Sequence, residues 1–259
     1  STTGRSIIRL YKPTAGRVIF RGEDISGDLT KEQKTMLRQK MQMIFQDPMA
    51  SLNPRKKVMD IIAEGVDIHH MAASKAERQE MVYAMLKKVG LSVEHANRYP
   101  HQLSGGQRQR VGIARALIMR PELIIADEAI SALDVSIQAQ VVNLLKNIQE
   151  ETGCAILFIA HDLSMVRYIS DAIGVLHLGH LVEAGTTEDV FEHAAHPYTR
   201  SLLSAIPRPN PRLEKDRPIQ SYNYAASGID YNKGTYHALS ATHSLLATDE
   251  EAAAWTAVN

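Results

Sequence analysis

The chain has 259 residues, 44% of them apolar, and lysine plus arginine equal aspartate plus glutamate at 29 each, a formal net charge of zero. That length allows one large domain or two small ones around a sizeable core. The charge balance argues against nucleic acid as a partner, where a basic face is expected, and local clusters such as Arg55-Lys56-Lys57 or Arg108/Arg110/Arg115 read as solvated or helix-lined surface. One cysteine, Cys154, allows no internal disulfide framework and fits a reducing compartment. No apolar run approaches the ~20 residues that a bilayer-crossing helix needs.

In chain order, residues 4–12 predict a first helix, with apolar Ile7, Ile8 and Leu10 ahead of a stop at Pro13. Gly16 to Ile25 alternates, Val18 and Phe20 against Arg17 and Arg21, as a strand pair turning around Gly22. A polar helix over Thr30 to Gln39 precedes a short apolar strand, Met43-Ile44-Phe45, that runs into Gln46. From Val58 to Tyr99 the apolar spacing is helical (Ile61, Ile62 and Val66, then Met81, Met85, Leu86 and Val89), with stops at Gly90 and Pro100. The turn Leu103-Ser104-Gly105-Gly106-Gln107 opens a helix that runs to Met119. Strand 122–127, helix 135–151, strand 154–160 and helix 163–171 follow, an alternation that implies a mostly parallel sheet with helices on both faces. Ile173 to Leu181 makes a strand pair around Gly179, and Gly185 to His193 a short helix. Four prolines within residues 207–218 mark a linker or extended wrap, and the tail 219–259 is expected to hold little structure.

Chemistry gathers at a few points. Asp127 ends an apolar strand, so its carboxylate projects from the carboxyl edge of the sheet, where α/β folds bind ligands, with Glu128 next to it. The turn Ser104 to Gln107 offers exposed amides and a helix N-terminus to an anion, and its glycines let backbone approach closely. Ser131-Ala132-Leu133-Asp134 follows, and His161 ends the next apolar strand. Each piece alone is weak, but in this order and at these spacings the set resembles the ATP-binding subunits of ABC transporters.

That resemblance implies an α/β, P-loop NTPase-like fold, a mostly parallel sheet flanked by helices, with a helical subdomain inserted between Gln46 and the Leu103 turn. It implies hydrolysis of ATP with Mg²⁺. Asp127 looks like the acid that holds Mg²⁺, Glu128 the general base that orients water, and His161 the histidine that contacts the γ-phosphate. Gln46 resembles the glutamine that reaches Mg²⁺ and water. Ser104, Gly105, Gly106, Gln107 and Asp134 resemble residues that reach ATP held by the opposite subunit. The family's phosphate loop reads G-x-x-G-x-G-K-[ST]-T, and this sequence opens at Ser1-Thr2-Thr3. Ser1 matches the hydroxyl after the loop lysine, an Mg²⁺ and nucleotide ligand, and Thr2 a nucleotide contact. The chain therefore reads as an N-terminally cut piece lacking the loop glycines, the lysine and the preceding strands. Ala129 stands where the peptide-transporter pattern D-E-P-x-S has proline.

Phe45-Gln46-Asp47-Pro48, Ser51-Leu52-Asn53-Pro54-Arg55 and His196-Pro197-Tyr198-Thr199-Arg200-Ser201-Leu202-Leu203 resemble the dipeptide/oligopeptide importer branch. The branch implies a second ABC ATPase subunit, two transmembrane permease subunits, an indirect link to an extracytoplasmic peptide-binding protein, and a peripheral position on the cytoplasmic face of the bacterial membrane. On this reading residues 1–206 form the nucleotide-binding domain, 58–100 its helical subdomain, and 207–259 a Pro-rich linker and tail. With no cysteine beyond 154, no iron–sulfur site is expected. Two other readings stay open: a soluble, non-transport ABC ATPase and an inert interaction module. About 56 residues between Gln46 and Leu103 are too few for the coiled coil that many soluble members carry.

Overall fold

The structure is a computed structural model that describes residues 1–131, 133–206 and 220–257. The chain divides into two compact units, Ser1–His161 and Asp162–Asn259.

The first unit is built on a parallel sheet of three strands in the order β3 (Met41–Ile44), β4 (Leu123–Asp127), β5 (Ala155–Ile159). Ile44 pairs with Ala126 and Asp127 with Ile159, so all three strands end at the same edge. Their near-continuous apolar runs suit a sheet covered on its faces rather than one wetted on one side. A capping box at Thr30 and Gln33 starts α2 (Lys31–Lys40), as its polar pattern predicts. The hairpin β1 (Ile19–Phe20) and β2 (Glu23–Asp24) turns at Arg21-Gly22, both at positive φ. The first helix, α1 (Thr2–Ile7), is shorter than the expected 4–12 because Arg9 adopts φ 65°, which a right-handed helix does not contain.

After a single turn, α3 (Pro48–Ser51), the helical insertion contributes α4 (Val58–Ile68) and α5 (Lys75–Lys88), and α6 (Gly105–Leu117) follows it and leads to β4. α4 buries Val58, Ile61, Ile62 and Val66 on one stripe and packs against α6. α7 (Val135–Thr152) links β4 to β5 and ends at Gly153 in the left-handed conformation.

The second unit carries a four-stranded antiparallel sheet in the order β6 (Ala172–His177), β7 (His180–Thr186), β9 (Ser244–Ala247), β8 (Thr235–Ala238). The β6–β7 hairpin turns at Leu178-Gly179, as expected. A helix over Pro197–Ser204, capped by His196 and started by Pro197, had not been anticipated.

The tail corrects the expectation of little structure. It contributes β8, β9 and a helix over Asp249–Thr256, with Leu245, Leu246 and Ala247 buried. β9 is four residues long and largely buried, so it shows no alternating period, and its partner β7 lies some 60 residues earlier. That pairing puts tail and hairpin in one sheet, within the compact unit Asp162–Asn259. The proline-rich stretch 207–218 lies outside the described residues.

Candidate functional site

Three strand ends converge on one carboxylate oxygen. Gln46, two residues past β3, donates its Nε2 to Glu128 Oε2 at 2.8 Å. His161, two residues past β5, holds Nδ1 3.9 Å from the same oxygen. Glu128 follows β4 at φ 48°, a left-handed backbone that non-glycine residues rarely adopt. Its N–H donates to Ile159 O at 2.8 Å, and its C=O accepts from Ser131 N at 3.1 Å and Ser131 Oγ at 3.0 Å. Those bonds hold the strained residue in place and aim its side chain away from the ladder.

Asp127 is buried beside it, 1% exposed, and accepts from Ser1 Oγ at 2.9 Å. Thr2 opens α1, which Ser1 precedes, and Arg5, one turn along, brings its Nε to 4.0 Å from Asp127 Oδ2. The donors available here, a serine hydroxyl, a carboxylate and the free oxygen of the Gln46 amide, are all hard oxygens, the set that suits Mg²⁺.

Ser104, Gly105, Gly106 and Gln107 form a second cluster. Ser104 caps α6, with Gln107 N donating to its Oγ at 3.3 Å, and Gln107 Oε1 accepts from Ser104 N at 2.9 Å, a complete capping box. Gly106 is required sterically: a Cβ there would lie 2.7 Å from Ile137 Cγ2 on α7. Asp134 sits at the N-cap of α7 without a side-chain cap bond. The turn's polar side chains bond among themselves and to His95, not to Asp127 or Glu128. The sequence-predicted residues thus fall into two groups, Ser1/Thr2/Gln46/Asp127/Glu128/His161 and Ser104–Gln107 with Asp134.

Between the Gln46 loop and the insertion lies a groove of about 740 Å³, walled by Phe45, Ala50, Ile68 and Met119 and by the charged side chains of Glu64 and Arg115. Arg115 reaches from α6 to donate to Ser51 O at 2.5 Å. Burial pushes its guanidinium below the ordinary value.

A family described as ABC transporter matches residues 1–131. The oligopeptide transport ATP-binding protein OppF of Bacillus subtilis is 62% identical over 223 residues, spanning 86% of this chain and 73% of that protein. The chain belongs to the ABC transporter ATP-binding family.

Further comparisons refine the membership of this ABC ATPase. The OppF of Streptococcus mutans is 54% identical across 98% of this chain and 82% of its own length, and the dipeptide transport ATP-binding protein DppF of Lactococcus lactis 50% identical across 97% and 81%. A second family, described as oligopeptide/dipeptide transporter, C-terminal region, matches residues 182–233. Among solved structures, the dimeric post-hydrolysis state of the ATP-binding cassette MJ0796 bound to ADP and Pi superposes with a TM-score of 0.65 at 31% identity, over 72% of this chain and 79% of that one. The P-loop NTPase-like α/β fold expected from the sequence is thereby established, and the chain is an ATP-binding ATPase of the ABC type. Sequence reasoning passed over His95 and Arg5 and read Arg115 only as solvated or helix-lined surface, whereas the contacts of all three join separate elements. Only the helical i, i+4 spacing of Ser1 and Arg5 could have signalled one of them.

Proposed function

We propose that this ABC ATPase powers the import of oligopeptides or dipeptides, hydrolysing ATP as one of a pair of ATPase subunits on the cytoplasmic face of a bacterial membrane. The observation that carries the catalytic part is the convergence of Gln46 and His161 on Glu128 Oε2, from the ends of three neighbouring strands. The names of its relatives and the match over residues 182–233 support the cargo.

In this reading Ser1, Asp127 and Gln46 hold Mg²⁺, which neutralises phosphate charge when bound. Glu128 orients and polarises the attacking water, positioning being its larger contribution. Gln46 fixes the rotamer of that carboxylate through its 2.8 Å bond, and so links the state of the site to the groove that its own loop borders. His161, 73% exposed at its side chain, is free to swing toward a γ-phosphate. Thr2 adds a nucleotide contact. Ser104, Gly105, Gly106, Gln107 and Asp134 act on the nucleotide held by the second ATPase subunit, their amides meeting phosphate at the start of α6. The groove receives a cytoplasmic segment of one of two permease subunits, through which an extracytoplasmic peptide-binding protein is served indirectly.

The deciding experiment is Glu128→Gln in the full-length protein assembled with its partners. The amide keeps shape and loses the charge that polarises water, so turnover falls at least about 100-fold, the low end of what a general base contributes. ATP affinity stays, and ATP-trapped closed pairs accumulate. Turnover near that of the wild type would remove Glu128 from the role.

A further inference from the structure

The contacts of His95 have no part in the reading above. His95 lies in a short 3-10 turn, Val93–Asn97, whose Ala96 is fully buried, and it faces the Ser104–Gln107 turn from the insertion. Gln107 Oε1 is occupied by the backbone N–H of Ser104 at 2.9 Å, which fixes the orientation of the amide. Its NH₂ therefore points at His95 Nε2, 3.3 Å away. An amide NH₂ has no lone pair to offer, so His95 Nε2 must be the acceptor and the ring proton must sit on Nδ1. Ser92 completes the pattern, with its O at 3.1 Å and its Oγ at 2.8 Å from Nδ1. A line of hydrogen bonds thus runs Ser92–His95–Gln107–Ser104, joining the insertion to the glycine turn.

We propose that His95 is a positioning residue: through Gln107 it holds the Ser104–Gln107 turn in the geometry that meets the partner subunit's nucleotide, with imidazole neutral and protonated on Nδ1. The inference rests on the reading that this turn acts on a nucleotide. The capping box alone ties Gln107 to its own helix, and the bond to His95 ties it to a separate element. The turn is thereby preorganised rather than ordered at the moment of closure.

The test uses the full-length ATPase in its assembled transporter. His95→Ala lowers kcat/KM for ATP about fivefold, the worth of one neutral hydrogen bond, while the isolated subunit, which does not use a partner's turn, binds ATP as the wild type does. His95→Gln, whose Oε1 accepts from the Gln107 amide, returns kcat/KM to within about twofold, since the acceptor rather than the ring is required. Nitrogen chemical shifts of the His95 ring report the proton on Nδ1. Wild-type kinetics in His95→Ala, an equal deficit in His95→Gln, or a proton on Nε2 each overturn the proposal. Gly106→Asp separates the two layers of the argument. If it leaves hydrolysis untouched, the turn's role fails and this inference with it; if it abolishes hydrolysis while His95→Ala does not reduce it, only His95 loses its place.

Discussion

Gly106 and His196 show how single side chains are constrained. A methyl at Gly106 would sit 2.7 Å from Ile137 Cγ2, closer than side chains approach, so the Ile137 side chain or the helices that carry the two residues must shift. Gly106→Ala should cost about 1–3 kcal/mol as overpacking, and Ile137→Ala, which removes the clashing Cγ2, should make the double variant less destabilised than the sum of the two single ones. Chemical denaturation of the single and double variants measures both effects, and additive losses would refute the contact. His196 is fully buried; its Nδ1 accepts from Tyr198 N at 3.0 Å and caps the helix Pro197–Ser204. Burial, with a smaller contribution from the charge of His177, pushes its pKa from 6.5 down to about 4. The unfolded chain therefore binds the extra proton first. The stability contribution is complete above pH 6.5 and is lost as pH falls toward 4, amounting to about 3 kcal/mol. His196→Asn keeps a capping acceptor and does not titrate, so its unfolding midpoint should fall less between those pH values. A pH slope equal to that of the wild type would count against the assignment.

Among the elements, β9 is the one that organises the second unit. Glu183 on β7 is buried and accepts three bonds, from Ala195 N at 2.7 Å, His196 N at 3.2 Å and His243 Nε2 at 2.8 Å, the last just ahead of β9. A buried carboxylate is tolerated only when its oxygens are met in this way. Glu183→Gln would turn an NH₂ against one of these donors, and a loss of about 1–3 kcal/mol follows. Leu245, fully buried on β9, packs with Ala195, Ala247 and Trp255. Leu245→Ala should cost about 2–5 kcal/mol through lost burial and the cavity left behind. Hydrogen exchange of the β7 and β9 amides is the direct readout, and protection unchanged in both variants would show that the tail does not anchor the sheet.

For the molecule as a working subunit, the groove beside the Gln46 loop is where hydrolysis and transport would meet. Ile68 is 66% exposed at its rim, an apolar side chain that no neighbour covers fully. Docking sites draw their energy from a desolvated apolar centre. Ile68→Glu should therefore sharply reduce co-purification with the permeases and peptide uptake, with the ATP affinity of the isolated subunit as the folding control. Normal recovery of the complex together with normal uptake would move the docking surface elsewhere.

Much of this was written locally along the chain. Asp127 and Glu128 at the end of an apolar run, Gln46 and His161 after their own strands, and Ser104-Gly105-Gly106-Gln107 before a helix are short patterns whose order carries the fold. The turn around Gly179 was legible for the same reason, since Leu178-Gly179 acts within a few residues. The convergence on one oxygen of Glu128 was not, because it depends on the register that aligns three strand ends. Nor could the sequence show the left-handed backbone of Glu128, which the N–H bond to Ile159 and the Ser131 bonds enforce. The tail strand and the His95–Gln107 contact escaped because their partners lie on other elements. Periodicity and local motifs report what a residue does among its neighbours in sequence; pairing across the fold is decided by packing, and only the tertiary structure contains it.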